Sequence, residues 1–375
     1  MSLSRRYVQV GFLWFCTLNG ITVLNITSGR YRKSRFLIGY RIVHNFLVII
    51  LTVKFLLEFW RVSEESFSQS PLVKLAAITY FGLVFISLIS CMLCAHRRQE
   101  SIRIMLVKLK DFDEIIQKRG YTLSREKKKF LDLLTVGLVA LLILRLAIHG
   151  FLNVKRFMRG SHNPCNCFLS ECMIFAMNSL AFGILHELCR NWWCLQSGLK
   201  MLLLERKPFK DRLTHLRKLL DTFQCLIDMT QDVCVVFRFV FLCYLMRNVW
   251  SGIRVGYMLV RVCLGHSAIE SELEYLQMVF VTCIQPLLYS ILMNYLTHTT
   301  DNLLEDTKSM MRELYHANAR VDQAMEWFSL QVAKQHTYVH IFSTYRLNRA
   351  LVFEGCSVIL LHVIYMVQCE YTQMF

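Results

Sequence analysis

Seven stretches of mostly apolar residues recur along the chain, separated by polar segments rich in Lys and Arg. A helix needs about 20 such residues to cross the hydrocarbon core of a bilayer. Pro71 and Pro164 fall in the connections, where helices are expected to stop. The pattern predicts seven transmembrane helices with the approximate bounds Phe36–Trp60, Leu72–Ala95, Phe130–Phe151, Phe168–Leu188, Val233–Cys263, Leu276–Leu296 and Ala350–Cys369.

A shorter apolar stretch, Val8–Leu24, lies near the amino terminus, behind Arg5 and Arg6 and ahead of a second basic group. Basic residues on both sides are typical of a helix that lies in the cytoplasmic interface of the membrane. The alternative is a short helix that crosses. We favour the interfacial helix.

Residues 299–346 are polar, but apolar residues recur in them three to four positions apart. This spacing predicts a long amphipathic helix just below the membrane, where subunits can meet. The chain then divides into a cytoplasmic segment (1–35), a six-span bundle (36–298), the amphipathic region (299–349) and the last span with a short outer tail (350–375).

The composition agrees with a chain whose main solvent is lipid. Hydrophobic residues make up 55% of the chain and charged residues 19%, below the quarter or so of a soluble domain. The net charge of +16 comes from blocks of Lys and Arg between apolar stretches. Such blocks are typical of loops that face an anionic cytoplasmic leaflet, so we expect a lipid bilayer and no nucleic acid as partner.

The orientation follows from the distribution of Lys and Arg among alternate loops. One set of loops carries thirty and the other five. Because basic loops stay in the cytoplasm, the fold predicted is an all-α membrane protein, a seven-transmembrane helix bundle with cytoplasmic amino terminus and extracellular carboxy terminus. The sequon Asn25-Ile26-Thr27 then lies in the cytoplasm and carries no glycan.

No motif indicates an enzyme. His186-Glu187 resembles half of a metalloprotease H-E-x-x-H, but Arg190 stands where the second histidine would be. No phosphate-binding loop, metal site or cofactor motif is present. Most of the 15 cysteines lie in apolar stretches and are expected to be reduced, while Cys165 and Cys167 fall in an outer loop where a disulfide is an alternative.

A few polar residues inside the predicted spans are candidates for a ligand pocket, since such residues usually face a cavity or a partner. Arg145 and His149 share one face of the third span near its outer end, and either line a pocket or snorkel to the headgroups. Aromatic residues on other spans are candidates for the walls of the same pocket; they are Tyr80, Phe175, Trp250, Tyr257 and Phe280.

Other charged residues have simpler interpretations. Lys54 and Glu58 lie four apart on the first span and are expected to pair. Arg238, Arg247 and Arg254 occur in a fifth span longer than a bilayer requires, so its inner end is expected to project into the cytoplasm, with the arginines snorkelling or lining water. Gln368, in the last span, is expected to face other helices or a pore.

The carboxy-terminal region resembles the insect gustatory receptor family, chemoreceptors related to insect odorant receptors. The resemblance covers Phe328-Ser329-Leu330-Gln331, then Phe342 and Leu347 before the last span. The family motif, Thr-Tyr, five hydrophobic residues, Gln and Phe, is matched at its five apolar positions and at Gln368. Leu361-His362 replaces Thr-Tyr, and Cys369 replaces Phe.

The resemblance implies a ligand-gated, non-selective cation channel in the plasma membrane of sensory neurons, opened by a small-molecule tastant. It further implies a homo- or hetero-tetramer with related receptor subunits, in which the last span of each subunit lines a central pore. By position, Gln368 would form the gate, with Ile364 and Val367 as pore-lining neighbours. The tastant would enter an outer-facing pocket in each bundle.

Two other functions fit a multi-span chain. A G-protein-coupled receptor has the same number of spans, but the predicted orientation is the reverse, and no Asp-Arg-Tyr follows the third span and no Asn-Pro-x-x-Tyr lies in the seventh. A membrane transporter would favour paired internal repeats and broken helices in matching positions. Neither feature is found in the sequence.

Overall fold

The structure is a computed structural model that describes residues 3–27, 30–66, 71–118, 121, 123–158, 166–204, 209–263, 285–317, 340–341, 345–346 and 349–374. These residues form two antiparallel hairpins, β1 (Leu24–Thr27) with β2 (Arg30–Lys33) and β3 (His340–Ile341) with β4 (Tyr345–Arg346). The helices are α1 (Leu3–Leu18), α2 (Arg35–Ser66), α3 (Pro71–Arg97), α4 (Gln99–Lys118), α5 (Arg125–Met158), α6 (Asn166–Leu204), α7 (Phe209–Cys263), α8 (Gln285–Ala317) and α9 (Arg349–Met374).

The predicted spans coincide with helices of the structure. Six of them lie within α2, α3, α5, α6, α7 and α9, and the second half of the remaining span lies in α8. Within the described residues, four segments are long and apolar enough to cross a bilayer: Arg35–Glu58, Ile78–Arg97, Leu169–Met201 and Asp221–Tyr257. A shorter apolar segment is Phe353–Cys369.

Several of the described helices, among them α6, α7 and α8, are much longer than a bilayer is thick. α6 has 39 residues, α7 has 55 and α8 has 33. At 1.5 Å per residue they measure about 58, 82 and 50 Å, against about 30 Å for the hydrocarbon core. α7 begins at Phe209, well before Val233, so the helix that contains the fifth span is longer than the sequence indicates. That the inner end of this span projects into the cytoplasm stays a prediction.

The sequence places a loop at 190–231, whereas the structure has helix on both sides of residues 205–208. The difference arises because basic residues lower the hydropathy there, while the apolar residues between them keep helical spacing. Trp192, Leu199, Leu219 and Phe223 are buried, and the rings of Trp192 and Phe223 meet edge to face with centroids 5.3 Å apart. The long helices therefore extend the hydrophobic core beyond the predicted spans.

α6 is the centre of the bundle. It contacts α1 to α5, α7 and α8, and most of its residues between Cys172 and Leu199 are buried. A helix that is apolar on all sides is stable only when other helices enclose it. The remaining helices are therefore arranged around α6.

The amino-terminal residues pack on this central helix. The rings of Phe15 in α1 and Phe175 in α6 lie edge to face, with centroids 6.5 Å apart, and Cys16 Sγ lies 3.6 Å from the carbonyl oxygen of Ala176. Gly20 follows α1 with φ of 67°, a conformation that glycine adopts readily. The choice between an interfacial and a crossing helix for Val8–Leu24 stays a prediction, since no membrane position is defined.

The β1–β2 hairpin, which lies between α1 and α2 in the chain, packs on α4. Lys33 of β2 and Arg103 of α4 both pair with Glu100. Hydrogen bonds from Arg103 and then Lys33 favour the carboxylate and lower the pKa of Glu100 to about 2. Glu100 therefore stays ionised throughout the physiological range and holds the hairpin to α4.

His186 and Glu187 have a structural role. Glu187 Oε2 lies 3.2 Å from Arg190 Nη1, and Arg190 Nη2 lies 2.7 Å from Asp113 Oδ1 of α4. His186 Nε2 lies 3.2 Å from the hydroxyl of Thr135 in α5. These residues tie α6 to α4 and α5.

The expected pair of Lys54 and Glu58 is confirmed, since Lys54 Nζ lies 3.9 Å from Glu58 Oε1.

The amphipathic helix predicted over residues 299–346 begins as the continuation of α8 to Ala317. Asp301, Leu303 and Thr307 are buried there, and Gln196 Nε2 of α6 donates a hydrogen bond to the carbonyl oxygen of Leu303. Residues 318–339 lie outside the described part of the chain. The helix predicted to continue to residue 346 is wrong at its end, where His340–Ile341 and Tyr345–Arg346 pair as the β3–β4 hairpin.

α9 packs closely on α7 at two glycines. A Cβ atom added to Gly252 would lie 2.6 Å from Ile359 Cδ1, and one added to Gly256 would lie 2.6 Å from Val363 Cγ2. Small residues four apart let two membrane helices approach closely. Gly252 and Gly256 therefore form a groove on α7, the glycine groove, that seats Ile359 and Val363.

We expect Gly256→Leu to weaken the contact between α7 and α9, because the new side chain displaces Val363. Overpacking of this kind costs about 1–3 kcal/mol. The measurement is the temperature at which half of the purified protein in detergent loses its monodisperse chromatographic peak. Gly137→Leu is the matched control, since no atom lies within 4 Å of a Cβ added at Gly137. Equal thermal midpoints for Gly256→Leu and Gly137→Leu would contradict the close packing of α9 in the glycine groove.

Candidate functional site

Charged and aromatic residues from three helices meet at one end of the bundle. Tyr80 lies near the start of α3, Glu171 near the start of α6, and Arg247 and Arg254 in the last third of α7. We call these four residues the arginine cluster. The antiparallel course of α7 relative to α3 and α6 brings them together, because the end of α7 lies beside the beginnings of the other two helices.

The most buried contact of the arginine cluster is an ion pair. Arg247 Nη1 donates a hydrogen bond to Glu171 Oε2 over 2.9 Å, with side chains that are 3% and 12% exposed. The guanidinium carbon of Arg247 also lies 5.8 Å from the centre of the Tyr244 ring. A charge inside a membrane bundle is costly unless it is paired, so this contact fixes α7 against α6.

Arg254 has a different environment. Its guanidinium carbon lies 4.3 Å from the centre of the Tyr80 ring, a cation–π contact between α7 and α3. Among the residues that the structure describes, no carboxylate pairs with Arg254. The Arg254 side chain is partly exposed and the Tyr80 side chain is buried.

The two faces of α7 have separate contacts. Arg247, Trp250, Arg254 and Tyr257 follow one another at three- and four-residue steps and so share one face of the helix. Gly252 and Gly256 lie two residues from Arg254 on either side, which turns them to the opposite face. One face of α7 therefore meets α3 and α6, and the other seats α9.

The structure describes part of the predicted pocket. Tyr80 contacts Arg254, while Phe175 follows Glu171 by one helical turn and packs on Phe15. Tyr257 is fully buried and Trp250 is partly buried against the core. The side chains of Arg145 and His149, which belong to α5, lie outside the described part of the structure, as does the whole of Phe280.

The pairing of Glu171 with Arg247 and the contact of Arg254 with Tyr80 were not predicted. The expectation that Arg247 snorkels or lines water is wrong, because its side chain is 3% exposed and pairs with Glu171. A signal was available, because Glu171 is an acidic residue inside the fourth span and an acid in one span often pairs with a base in another. The spacing along the chain does not say which residues pair.

The predicted gate residues lie on an open face of α9. Ile359 and Val363 face α7, whereas Leu361, Ile364, Tyr365 and Gln368 recur at three- and four-residue steps and are all exposed. Ile364 is 48% exposed, and Val367 is partly buried.

The described residues include no cluster of three or more His, Cys, Asp or Glu side chains able to hold a metal ion.

Long apolar helices around a central helix, with a buried ion pair at one end, define an all-α membrane protein of the seven-span bundle class. The 7tm chemosensory receptor family matches residues 11–373 of the chain. Gustatory receptor 85a of Drosophila melanogaster is 44% identical over 375 residues, which cover 99% of this chain and 94% of that protein.

The fold is similar to that of the insect olfactory receptor OR5 from Machilis hrabei. Its structure alone aligns with a TM-score of 0.66 at 13% identity, and its structure in complex with eugenol aligns with a TM-score of 0.64 at 12% identity. Both alignments cover 97% of this chain and 98% of OR5. The chain belongs to the insect gustatory receptor family, which confirms the resemblance found in the carboxy-terminal region.

We expect Glu171→Met to destabilise the bundle, since it leaves the charge of Arg247 buried without its carboxylate. Removing one partner of a buried pair costs about 3–5 kcal/mol, whereas replacing both with apolar residues is often neutral. The double variant Glu171→Met with Arg247→Met is therefore expected to recover most of the loss. The measurement is the thermal midpoint of the purified protein in detergent.

The matched control is Lys110→Met, which breaks an ion pair with Glu114 in α4, outside the predicted spans. Its lysine side chain is 41% exposed, so the variant is expected to change stability by less than about 1 kcal/mol. A double variant that is as unstable as Glu171→Met alone would show that the ion pair does not explain the loss.

Proposed function

We propose that the protein is a gustatory receptor subunit that forms a ligand-gated, non-selective cation channel and opens on binding a small-molecule tastant. Four subunits, either copies of this chain or related receptors, surround a central pore in the plasma membrane of sensory neurons. The observation that carries this proposal is the open face of α9, an apolar stripe that ends in the amide of Gln368.

The chemistry of this face favours a pore over lipid. The amide of Gln368 makes no hydrogen bond with any described residue, and an amide that faces lipid loses its hydrogen bonds to water. A water-filled pore supplies those hydrogen bonds. Gln368 then forms the gate, and Ile364 and Val367 lie one turn or less away along the pore wall.

The position of α7 supports a route from ligand to gate. The face of α7 that carries Arg247 and Arg254 belongs to the arginine cluster, and the opposite face holds α9 through the glycine groove. A ligand that binds better to the open arrangement of α3, α6 and α7 shifts the population toward it. Movement of α7 is passed directly to α9, because the side chains of Ile359 and Val363 lie against Gly252 and Gly256.

The ligand site that we propose surrounds the arginine cluster. Its walls are the aromatic residues Tyr80, Phe175, Trp250 and Tyr257, and Arg145, His149 and Phe280 complete the candidates. The eugenol complex of OR5 shows that a receptor of this fold binds a small aromatic molecule, and membership of the gustatory family favours a tastant.

Gln368→Ala is expected to abolish or alter the current that an agonist evokes, because it removes the amide from the gate. The measurement is the whole-cell cation current of cells that express the full chain, with conductance and ionic selectivity as readouts. Cys356→Ala, about three turns away on a different face of α9, is the matched control and is expected to behave like the unmodified protein. Unaltered conductance, selectivity and gating in Gln368→Ala would remove this residue from the gate.

The proposed orientation has its own test. An epitope tag before Met1 is expected to be labelled only after permeabilisation, a tag after Phe375 is expected to be labelled on intact cells, and Asn25 is expected to carry no glycan. The physical reason is the excess of Lys and Arg on one set of loops. Labelling of the amino-terminal tag on intact cells would favour the G-protein-coupled receptor instead.

A further inference from the structure

We propose that the arginine cluster recognises an organic anion, a small carboxylate with an apolar body, whose carboxylate binds Arg254. This inference rests on the proposed function, since it names the ligand class of the same site. It is carried by the contact of Arg254 with Tyr80 and by the balance of charge within the arginine cluster.

The charges of the arginine cluster do not cancel. Arg247 and Glu171 form a hydrogen-bonded pair of opposite charges. Arg254 adds a second positive charge on the same face of α7, and no carboxylate of the described residues pairs with it. The arginine cluster therefore has a net positive charge inside the bundle, where the low dielectric makes an unpaired charge costly and a bound anion favourable.

The environment of Arg254 prepares it for a carboxylate. The guanidinium carbon of Arg254 lies 4.3 Å from the centre of the Tyr80 ring, and a contact with the face of a ring uses none of the oxygen acceptors that the N–H groups of Arg254 would bind. These N–H groups have the spacing of the two carboxylate oxygens, so a bidentate ion pair is the natural contact. Tyr80 thus orients the guanidinium of Arg254 and does not occupy the N–H groups that would bind the carboxylate of the ligand.

The same contact directs Arg254 into the bundle and away from lipid headgroups. Tyr80 is 7% exposed, so the guanidinium against its ring points toward α3. Arg254 also lies about 13 Å inside the end of α7, at 1.5 Å per residue. An arginine that snorkels would extend along the helix surface toward its end and would not lie on a buried ring.

The neighbouring side chains set the rest of the ligand. Trp250 and Tyr257 flank Arg254 on its own face of α7 and offer apolar surface for an aromatic or alkyl body. Within the described arginine cluster, Arg254 is the one cation without a carboxylate partner, and a single such charge favours a monocarboxylate over a polyanion. A neutral sugar leaves the charge of Arg254 uncompensated, and an amine is repelled by it.

The test compares matched pairs of acid and neutral compound on the full chain: benzoate with benzamide, and hexanoate with 1-hexanol. Binding of radiolabelled compounds to the purified protein is measured beside agonist-evoked currents in cells. We expect at least one carboxylate to bind about tenfold or more tightly than its neutral partner at neutral pH, as one charge-assisted pair suffices for such a ratio.

Three variants assign the effect to Arg254. Arg254→Gln is expected to weaken carboxylate binding about tenfold or more and to leave binding of the neutral partner unchanged, whereas Arg254→Lys restores part of the affinity. The matched control is Arg238→Gln, on the same helix but about 24 Å away along its axis, which is expected to bind like the unmodified protein.

The outcomes separate the two proposals. Carboxylate binding that depends on Arg254 without any current supports the anion site and contradicts the channel function. Currents evoked only by neutral compounds, or equal carboxylate affinity in Arg254→Gln, overturn the anion site and leave the channel intact. Absence of carboxylate binding across the panel also overturns the anion site. Loss of every ligand in Arg254→Gln, with a lowered thermal midpoint, assigns Arg254 a purely structural role and overturns it too.

Discussion

The enclosure of α6 is the constraint on which the rest of the structure depends. This helix is apolar on nearly every side, so its stability requires that neighbours cover it completely. The neighbours achieve this both within the predicted spans and beyond them, where α6, α7 and α8 continue as helices. The central position of α6 also explains why Glu171, near its start, meets a residue of α7 and not lipid.

The second organising feature is the division of α7 into two faces. On one face, arginines require partners inside the bundle, and they contact Glu171 of α6 and Tyr80 of α3. On the other face, two glycines remove the side chains that would separate α7 from α9. Since a helix moves largely as a rigid unit, a displacement on the charged face also displaces the groove. This arrangement is the physical basis of the coupling that we propose between ligand and gate.

Several features were predictable because they depend on local properties of the chain. An apolar run of about 20 residues shows itself in any window of that length, so six of the predicted spans lie within helices, and the described half of Leu276–Leu296 is also helical. The pair of Lys54 with Glu58, four residues apart on one helix, was predicted correctly as well. The continuation of α6 through the basic residues after Leu188 was missed. Hydropathy averages over all faces of a helix, whereas burial of Trp192 and Leu199 depends on one face only.

The sequence by itself determined the class of the protein: seven apolar helices, a strong asymmetry of basic residues, and a last span with a conspicuous glutamine. These properties follow from composition and short-range spacing. Only the tertiary structure decided that Arg247 pairs with Glu171, that Arg254 lies on Tyr80, and that Val363 faces α7 while Gln368 is exposed. Each of these depends on contacts between helices far apart in the chain, and helical periodicity identifies the face of a residue but not the helix that it meets.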